Sequence, residues 1–151
     1  MAYKITKITD IGRIEEVIKK ASICRLGLVD GDEPYVIPVC FGYERGALYF
    51  HGNLKGRKVE VIKKNNKVCF EIDMDIELEK SEDPCDWVMK GKSVIGTGKS
   101  TILEDDQEKI HALKMIMQHY SKGDFKFSES ALASVLVARI DISSIAGKQI
   151  V

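Results

Sequence analysis

Apolar residues recur at helical spacing in three segments of the chain. In the first, Ile11, Ile14 and Ile18 follow Asp10, which can cap a helix that ends near Lys20. The other two predicted helices are 56–65, with Val59 and Ile62 facing inward, and 105–120, with Ile110, Leu113, Met117 and Tyr120 on one stripe.

Between the helices, apolar and polar residues alternate as they do in half-buried strands. Val68, Phe70 and Ile72 are the clearest example. Pro38 has no N–H, so the strand that contains it needs an edge or a bulge there. The acidic segment 74–86 is predicted to be a solvated loop or a ragged strand extension. The predicted strands are 22–29, 35–41, 47–51, 68–73, 87–103 and 131–142, with turns at Asp30-Gly31-Asp32 and Glu44-Arg45-Gly46.

This order of elements predicts a single domain, 1–151, that is mainly β with helices packed outside a small coiled barrel. Lys plus Arg and Asp plus Glu number 23 each, so no overall field attracts nucleic acid or an anionic membrane. No apolar run reaches bilayer length and the first ten residues lack a signal-peptide core, so we predict a cytoplasmic protein.

The sequence does not match three common motifs for binding a nucleotide or a metal ion. The segment ending in Gly98-Lys99-Ser100 has Ser93 where a P-loop needs glycine. The acidic run from Asp73 has Leu78 where a calcium loop needs glycine. The four cysteines form no C-x-x-C pair, which favours buried or partly buried free thiols over a zinc site; they are Cys24, Cys40, Cys69 and Cys85.

The segment ALYFHGNLKGRK, residues 47–58, is the best candidate for a binding site. A strand ends at His51, and a helix is predicted to open at Gly56-Arg57-Lys58. Cations in the first turn oppose the helix dipole, whereas free N–H groups with Arg57 and Lys58 suit a phosphate. The alternative is that both basic residues are simply solvated. His51 shares a strand face with Ala47 and Tyr49, away from the core face of Leu48 and Phe50, so it either serves chemistry or has a structural role.

Three blocks of sequence, in this order, resemble the flavin-binding split-barrel family. They are CRLGLVDGDEPYVIPVCFGYERGALYFHG, GRKVEVIKKNNKVCFEID, and SVIGTGKS followed by acidic residues and EKIHALKMIM. The family includes pyridoxamine-phosphate oxidase and, more similar to this chain, the nitroimidazole-resistance flavoproteins. The resemblance implies a six-stranded split β-barrel with flanking helices, which forms a homodimer with FMN across the interface.

The resemblance also implies a set of cofactor-binding residues. Gly91-Lys92 departs from the family pattern, which has an aromatic residue and an arginine there; Lys92 keeps the charge without the planar fork. The implied contacts are Val36, Ile37, Pro38 and Val39 with the edge of the flavin ring through their main chain, Phe50 and His51 with the ribityl chain or ring, Arg57 and Lys58 with the phosphate, and Ser93 with the cofactor from the later strand.

The function that the resemblance implies is an FMN-dependent oxidoreductase that takes electrons from a donor and reduces a small molecule, with a nitroaromatic compound as the most specific form of this prediction. His51 would be its catalytic residue, as a proton donor. Pyridoxamine-phosphate oxidase activity itself is not expected, since the extra length and C-terminal motif are absent. Two alternatives stay open: a non-catalytic module that stores or senses a flavin or small ligand, and a haem-binding barrel with His51, His111 or His119 as axial ligand.

Overall fold

A computed structural model describes residues 3–151 of the protein. It contains eight strands, four helices and one 3-10 turn at Pro84–Asp86. The strands are β1 (Ile5–Ile8), β2 (Cys24–Asp30), β3 (Glu33–Val39), β4 (Phe41–Glu44), β5 (Ala47–Asn53), β6 (Lys67–Glu79), β7 (Val88–Ile102) and β8 (Val135–Ile150), and the helices are α1 (Ile11–Lys20), α2 (Arg57–Lys64), α3 (Asp106–Tyr120) and α4 (Glu129–Ser134).

All strand pairs are antiparallel and belong to one sheet that does not close. Its order is β3-β2-β6-β7-β8-β5-β4, and β1 pairs with the end of β8. The mainly-β class with flanking helices is confirmed, but the described residues contain eight strands where six were implied. One extra strand is β1, and the other arises because the predicted strand 35–41 breaks at Cys40. The chain therefore crosses there from one edge of the sheet, β3, to the other, β4.

The predicted start of the first helix is confirmed at the level of its cap. Asp10 accepts a hydrogen bond of 2.9 Å from the Arg13 N–H, and Ile14 and Ile18 are buried on the inner face. The hairpin prediction for β2 and β3 is also confirmed. Gly31 occupies the left-handed region at φ 68°, where an L side chain would be strained.

The core lies on both sides of the sheet. Leu48, Phe50 and Phe70 belong to the larger cluster inside the curved sheet. Tyr49 belongs to a smaller cluster beneath α3 and α4. Leu48 and Phe50 on one face and Tyr49 on the other confirm the two-sided prediction for β5. The buried residues of α3 are Lys109, Ala112, Leu113 and Ile116.

The predicted stripe on α3 was therefore partly wrong. Met117 and Tyr120 are 36% and 44% exposed, so neither belongs to the buried face. Tyr120 is instead held by polar contacts: its hydroxyl donates to the Ser22 carbonyl at 2.7 Å and accepts from the Phe41 N–H at 3.1 Å. Hydrophobic spacing cannot signal such bonds, because they join residues far apart in the chain.

One boundary differs from the prediction, and for a second segment the structure decides between two predicted alternatives. The segment 131–142 was predicted as one strand, but its start is α4, because the Ser128 side chain caps a helix by accepting from the Ala131 N–H at 3.2 Å. The acidic segment 74–86 was predicted as a loop or a strand extension, and as far as Glu79 it is a strand that continues β6. A register shift between Met74 and Glu77 separates this extension from the barrel. We call residues 75–90, which form the end of the β6–β7 hairpin, the arm.

The cysteine prediction holds only in part. All four cysteines are free thiols, but only Cys24 is buried, and Cys40, Cys69 and Cys85 are exposed. Burial raises the pKa of the Cys24 thiol to about 12. Cys69 is exposed because the alternation of β6 places it on the outer face of the sheet, opposite Gly27 and Thr97.

Candidate functional site

The candidate phosphate site is the first turn of α2. Gly56 precedes the helix at φ 132°, a conformation that favours glycine, and no side chain caps the helix. The Val59 and Glu60 N–H groups bond to the Gly56 carbonyl, so the N–H groups of Arg57 and Lys58 are the ones without an intrahelical partner. An uncapped first turn of this kind is a site where an anion binds favourably.

Arg57 is less free than its sequence position indicates. Its Nε donates to Asp30 Oδ2 at 2.9 Å, and its Nη2 lies 3.7 Å from Glu33 Oε2. Its guanidinium carbon lies 4.1 Å from the centre of the Tyr35 ring. Arg57 therefore fastens α2 to the β2–β3 hairpin. These three partners were not predicted from the sequence, in which the acidic residues around the predicted turn are the one signal for them.

Lys58 turns the other way and lies along Gly52 at the end of β5. A Cβ built on Gly52 would come within 2.5 Å of Lys58 Nζ, so the absence of a side chain there makes room for the amine. Lys58 is half-buried and has no carboxylate among its close contacts in the described residues. It is therefore the cation of the first turn that is most available to a phosphate.

His51 lies on the opposite face of β5 from Phe50, and its side chain is open to solvent on one side. Partial desolvation by the surrounding protein lowers the pKa of the imidazole, and the positive charge of Lys58 lowers it further. Phe50 is 1% exposed and lies in the core, so its side chain cannot border a ligand as the resemblance implied. Only its main chain remains available, because the alternation of β5 directs its ring inward.

The edge strand β3 presents main-chain groups beside Arg57. The two-residue turn makes Asp30 and Glu33 the first pair of the hairpin, so alternate residues direct their N–H and C=O away from β2. These outward residues are Pro34, Val36 and Pro38, and of the three only Val36 has an N–H. The edge that was predicted for Pro38 is confirmed. Val36 is 65% exposed, whereas Ile37 is half-buried and Val39 is buried.

Within one chain, the structure does not bring Lys92 and Ser93 to this group. Ser93 pairs with Lys148 of β8, whereas His51 pairs with Val137 of the same strand. Residues 137 and 148 are on the order of 35 Å apart along an extended strand. Lys92 Nζ lies 3.7 Å from Asp75 Oδ2 instead. Ser93 lines a separate cavity of about 340 Å³ near Ile8 and Ile95.

The other two histidines are already engaged. His111 Nε2 lies 3.1 Å from Glu44 Oε2, and His119 Nε2 lies 2.6 Å from the Ala21 carbonyl oxygen. Residues 3–151 contain no cluster of His, Cys, Asp or Glu arranged to hold a metal ion. In the same described range, no helix combines the length and apolar character needed to cross a membrane.

Comparison with known proteins places the chain in a family. Residues 10–149 match the family described as pyridoxamine 5'-phosphate oxidase. A candidate 5-nitroimidazole antibiotic resistance protein from Bacteroides thetaiotaomicron has 36% sequence identity and a TM-score of 0.88, over 99% of this chain and 90% of its own. Among curated proteins, none matches.

Two more distant structures share the fold. An FAD-binding protein from Mesorhizobium loti has 20% identity and a TM-score of 0.71, over 99% of both chains. An FAD and haem binding protein from Mycobacterium smegmatis has 15% identity and a TM-score of 0.85, over 95% of this chain and 72% of its own. The family match and the identity to the Bacteroides protein agree with the resemblance in the sequence: the chain belongs to the pyridoxamine 5'-phosphate oxidase family.

Proposed function

We propose that this protein binds FMN and is an oxidoreductase that reduces a small, nitroaromatic-like molecule with electrons from a separate donor. The observation that carries the proposal is the first turn of α2, where unpaired N–H groups and the amine of Lys58 are available to an anion, while Arg57 joins the same turn to the β2–β3 hairpin. The family match supports a flavin, as do the FAD-binding relatives of the same fold. The similarity to the Bacteroides protein supports the nitroaromatic substrate class.

The residues present fit a flavin mononucleotide. The first turn of α2 and Lys58 hold the phosphate, with Arg57 keeping the helix against the hairpin. The edge of β3 runs away from this turn, and the Val36 N–H with the Pro34 and Pro38 carbonyls offers one donor and several acceptors to the ring. A mononucleotide needs only one such phosphate site, and the protein's part is to bind, orient and shield the ring.

A bound flavin supplies the electron transfer, and His51 supplies the protein's proton chemistry. Reduction of a nitro group places negative charge on oxygen, and an imidazole N–H can stabilise that charge or donate a proton to it. Because the pKa of His51 lies below its usual value, the neutral ring predominates at pH 7 and stabilises the charge through a hydrogen bond. Proton donation by His51 grows as the pH falls.

The proposal includes a homodimer, and the position of Ser93 in this structure supports it. Ser93 of β7 pairs with Lys148, whereas His51 pairs with Val137 of the same strand β8, so Ser93 is too far away to contact a flavin held by its own α2. The cofactor contact that the resemblance implies for Ser93 therefore requires a second copy, in which Ser93 and Lys92 approach the first copy's flavin. A two-fold arrangement of this kind gives two equivalent sites.

Titration of the purified protein with FMN, FAD and haemin, followed by absorbance and flavin fluorescence, tests the proposal. FMN is expected to bind with a quenched fluorescence, and the loaded protein is expected to oxidise a reduced nicotinamide when a nitroaromatic compound is added. A protein that ignores FMN and develops a Soret band with haemin would contradict the flavin. FMN binding without turnover would identify a storage or sensing module.

A further inference from the structure

The outer face of the arm exposes a continuous apolar row. Leu78 pairs with Met89, so their side chains share one face, and the two-residue period places Trp87 on it as well. Ile76 covers the same face, since a Cβ on Gly91 would lie 2.4 Å from Ile76 Cδ1. Each of these side chains is between 43% and 52% exposed, and so is Ile95, which extends the row onto the barrel. Exposed apolar rows of this kind mark interaction surfaces.

The tip of the arm is ordered in a form that suits docking. Trp87 Nε1 donates to the Ser81 carbonyl at 2.9 Å, and Lys80 Nζ lies 5.1 Å from the centre of the indole ring. These contacts hold the ring in place without burying it. A partner therefore meets a preorganised side chain, which lowers the entropy cost of binding.

A groove of about 510 Å³ lies on the same outer face, at the other end of β6 and β7. Val29 and Pro34 give it an apolar wall, and Lys67 and Lys99 stand on its rim. These two lysines are directly opposite each other across the strand pair, where like charges destabilise a sheet. Asp141, the neighbour of Lys99 on β8, already binds Arg139 at 3.3 Å. The groove therefore suits an apolar segment that carries negative charge.

The arm is an apolar segment of this kind, with a net negative charge. It contains six carboxylates and two lysines as well as the apolar row. Because arm and groove lie at opposite ends of the same two strands and on one face, two copies can stack with these faces together about a two-fold axis that is parallel to the face and perpendicular to the strands. Each arm then lies on the groove of the other copy. We infer that the arm of each chain docks in the groove of a second copy of this chain. The inference rests on the proposed homodimer and specifies its surface, and it is independent of the cofactor.

Docking in this way has a consequence for the proposed site. Val36 of β3 pairs with Gly27, which lines the groove, so an arm seated there borders the edge where the flavin ring is proposed to bind. Trp87 and Met89 of one copy then form a wall of the other copy's site. The same rotation carries Ser93 of the second copy from the far end of the face toward β3.

Trp87 is the only tryptophan in the sequence, so its fluorescence reports on the arm alone. In the docked dimer its emission is expected to be blue-shifted and protected from acrylamide, and both effects should disappear on dilution below the dimer Kd. Sedimentation over the same concentrations gives that Kd. An indole that quenches freely while sedimentation shows a dimer would overturn the docked arm and leave the homodimer standing.

Substitutions separate the arm from other apolar surface. Met89→Asp is expected to raise the dimer Kd about 30-fold or more, as for an interface hot spot. Ile11→Asp on α1 is the matched control, because Ile11 is 55% exposed but lies outside the row, and it should change the Kd less than threefold. Circular dichroism verifies that both variants are folded. Equal effects of the two substitutions would overturn the inference.

A charge exchange tests the pairing of tip and groove. Lys67→Glu with Lys99→Glu, and separately Glu82→Lys with Asp86→Lys, should each weaken the dimer, whereas the chain with all four changes should recover most of the affinity. Additive losses in the fourfold variant would contradict the docking. The wild-type chain should also be examined with FMN bound, at a protein concentration 100 times the FMN concentration that half-saturates its sites. A monomer under these conditions would overturn both the dimer and the docking but leave the flavin proposal intact.

Discussion

Arg57 Nε donates a hydrogen bond of 2.9 Å to Asp30 Oδ2, and this contact joins the first turn of α2 to the tip of the β2–β3 hairpin. Both side chains are partly exposed, so solvent screens the ion pair and its effect on overall stability is small. The ion pair matters because of where it holds α2. It sets the distance between the proposed phosphate site and the free edge of β3, where the flavin ring is proposed to lie.

Removal of Asp30 tests whether Arg57 positions the helix or binds the phosphate directly. If Arg57 positions it, Asp30→Ala should weaken FMN binding severalfold, although the change removes a negative charge near an anion. If Arg57 is a direct ligand, the same change frees it and binding should tighten. Glu60→Ala on the exposed side of α2 controls for charge, and fluorescence titration measures all three affinities. The double variant with Arg57→Ala should be no weaker than Arg57→Ala alone.

Lys58 is expected to be the main phosphate ligand. Lys58→Ala should weaken FMN binding by about 1.5–3 kcal/mol, the range for a charge-assisted hydrogen bond. Lys63→Ala in the last turn of the same helix is the matched control and should have little effect, because it lies away from the uncapped N–H groups. An unchanged affinity in the Lys58 variant would show that the phosphate binds elsewhere.

A substitution at Gly52 tests the role of the Lys58 amine independently. In Gly52→Ala the new methyl group would meet Lys58 Nζ and Cε at 2.5 and 2.9 Å. The amine is the end of a flexible side chain, so it moves away at low cost to the fold. FMN affinity should therefore fall while the thermal midpoint stays within about 2 °C, a shift of roughly 0.5–1 kcal/mol for a chain of this size. A large loss of stability with unchanged affinity would contradict this placement of Lys58.

His51→Ala separates a catalytic from a structural role. Turnover per bound flavin should slow about 100-fold, as for loss of a general acid, while FMN binding survives. Since the pKa of His51 is lowered, its protonated form accumulates only below pH 6.5, and the wild-type rate should rise as the pH falls through that range. Loss of FMN with unchanged turnover per flavin would make His51 a cofactor ligand instead.

The sequence predicted those parts of the fold that depend on local pattern. The Asp10 cap, the alternation around Phe70 and the glycine before α2 each act within a few residues, and all three are confirmed. The Arg57–Asp30 contact could not be predicted, because 27 positions separate these two partly exposed residues of ordinary type. The arm was left open between loop and strand, since its acidic composition favours solvent but its backbone pairing depends on β7.

Tyr120 illustrates the same limit and carries the last prediction. Its hydroxyl bridges the Ser22 carbonyl and the Phe41 N–H, and so joins the end of α3 to the point where the chain crosses from one sheet edge to the other. Tyr120→Phe leaves both main-chain groups without this partner and should destabilise the fold by about 1 kcal/mol. Met117→Ala, three residues earlier and exposed, is the control for general effects on α3.

The pH dependence distinguishes this bridge from simple packing. Burial raises the pKa of Tyr120 to about 12, from an ordinary value of 10. A group whose pKa is raised on folding stabilises fully below its unfolded pKa, and the contribution is lost as the pH rises through the folded value. Wild-type stability should therefore fall more steeply than that of Tyr120→Phe between pH 10 and 12, measured by urea denaturation. Parallel curves for the two proteins would show that the hydroxyl does not stabilise the crossing.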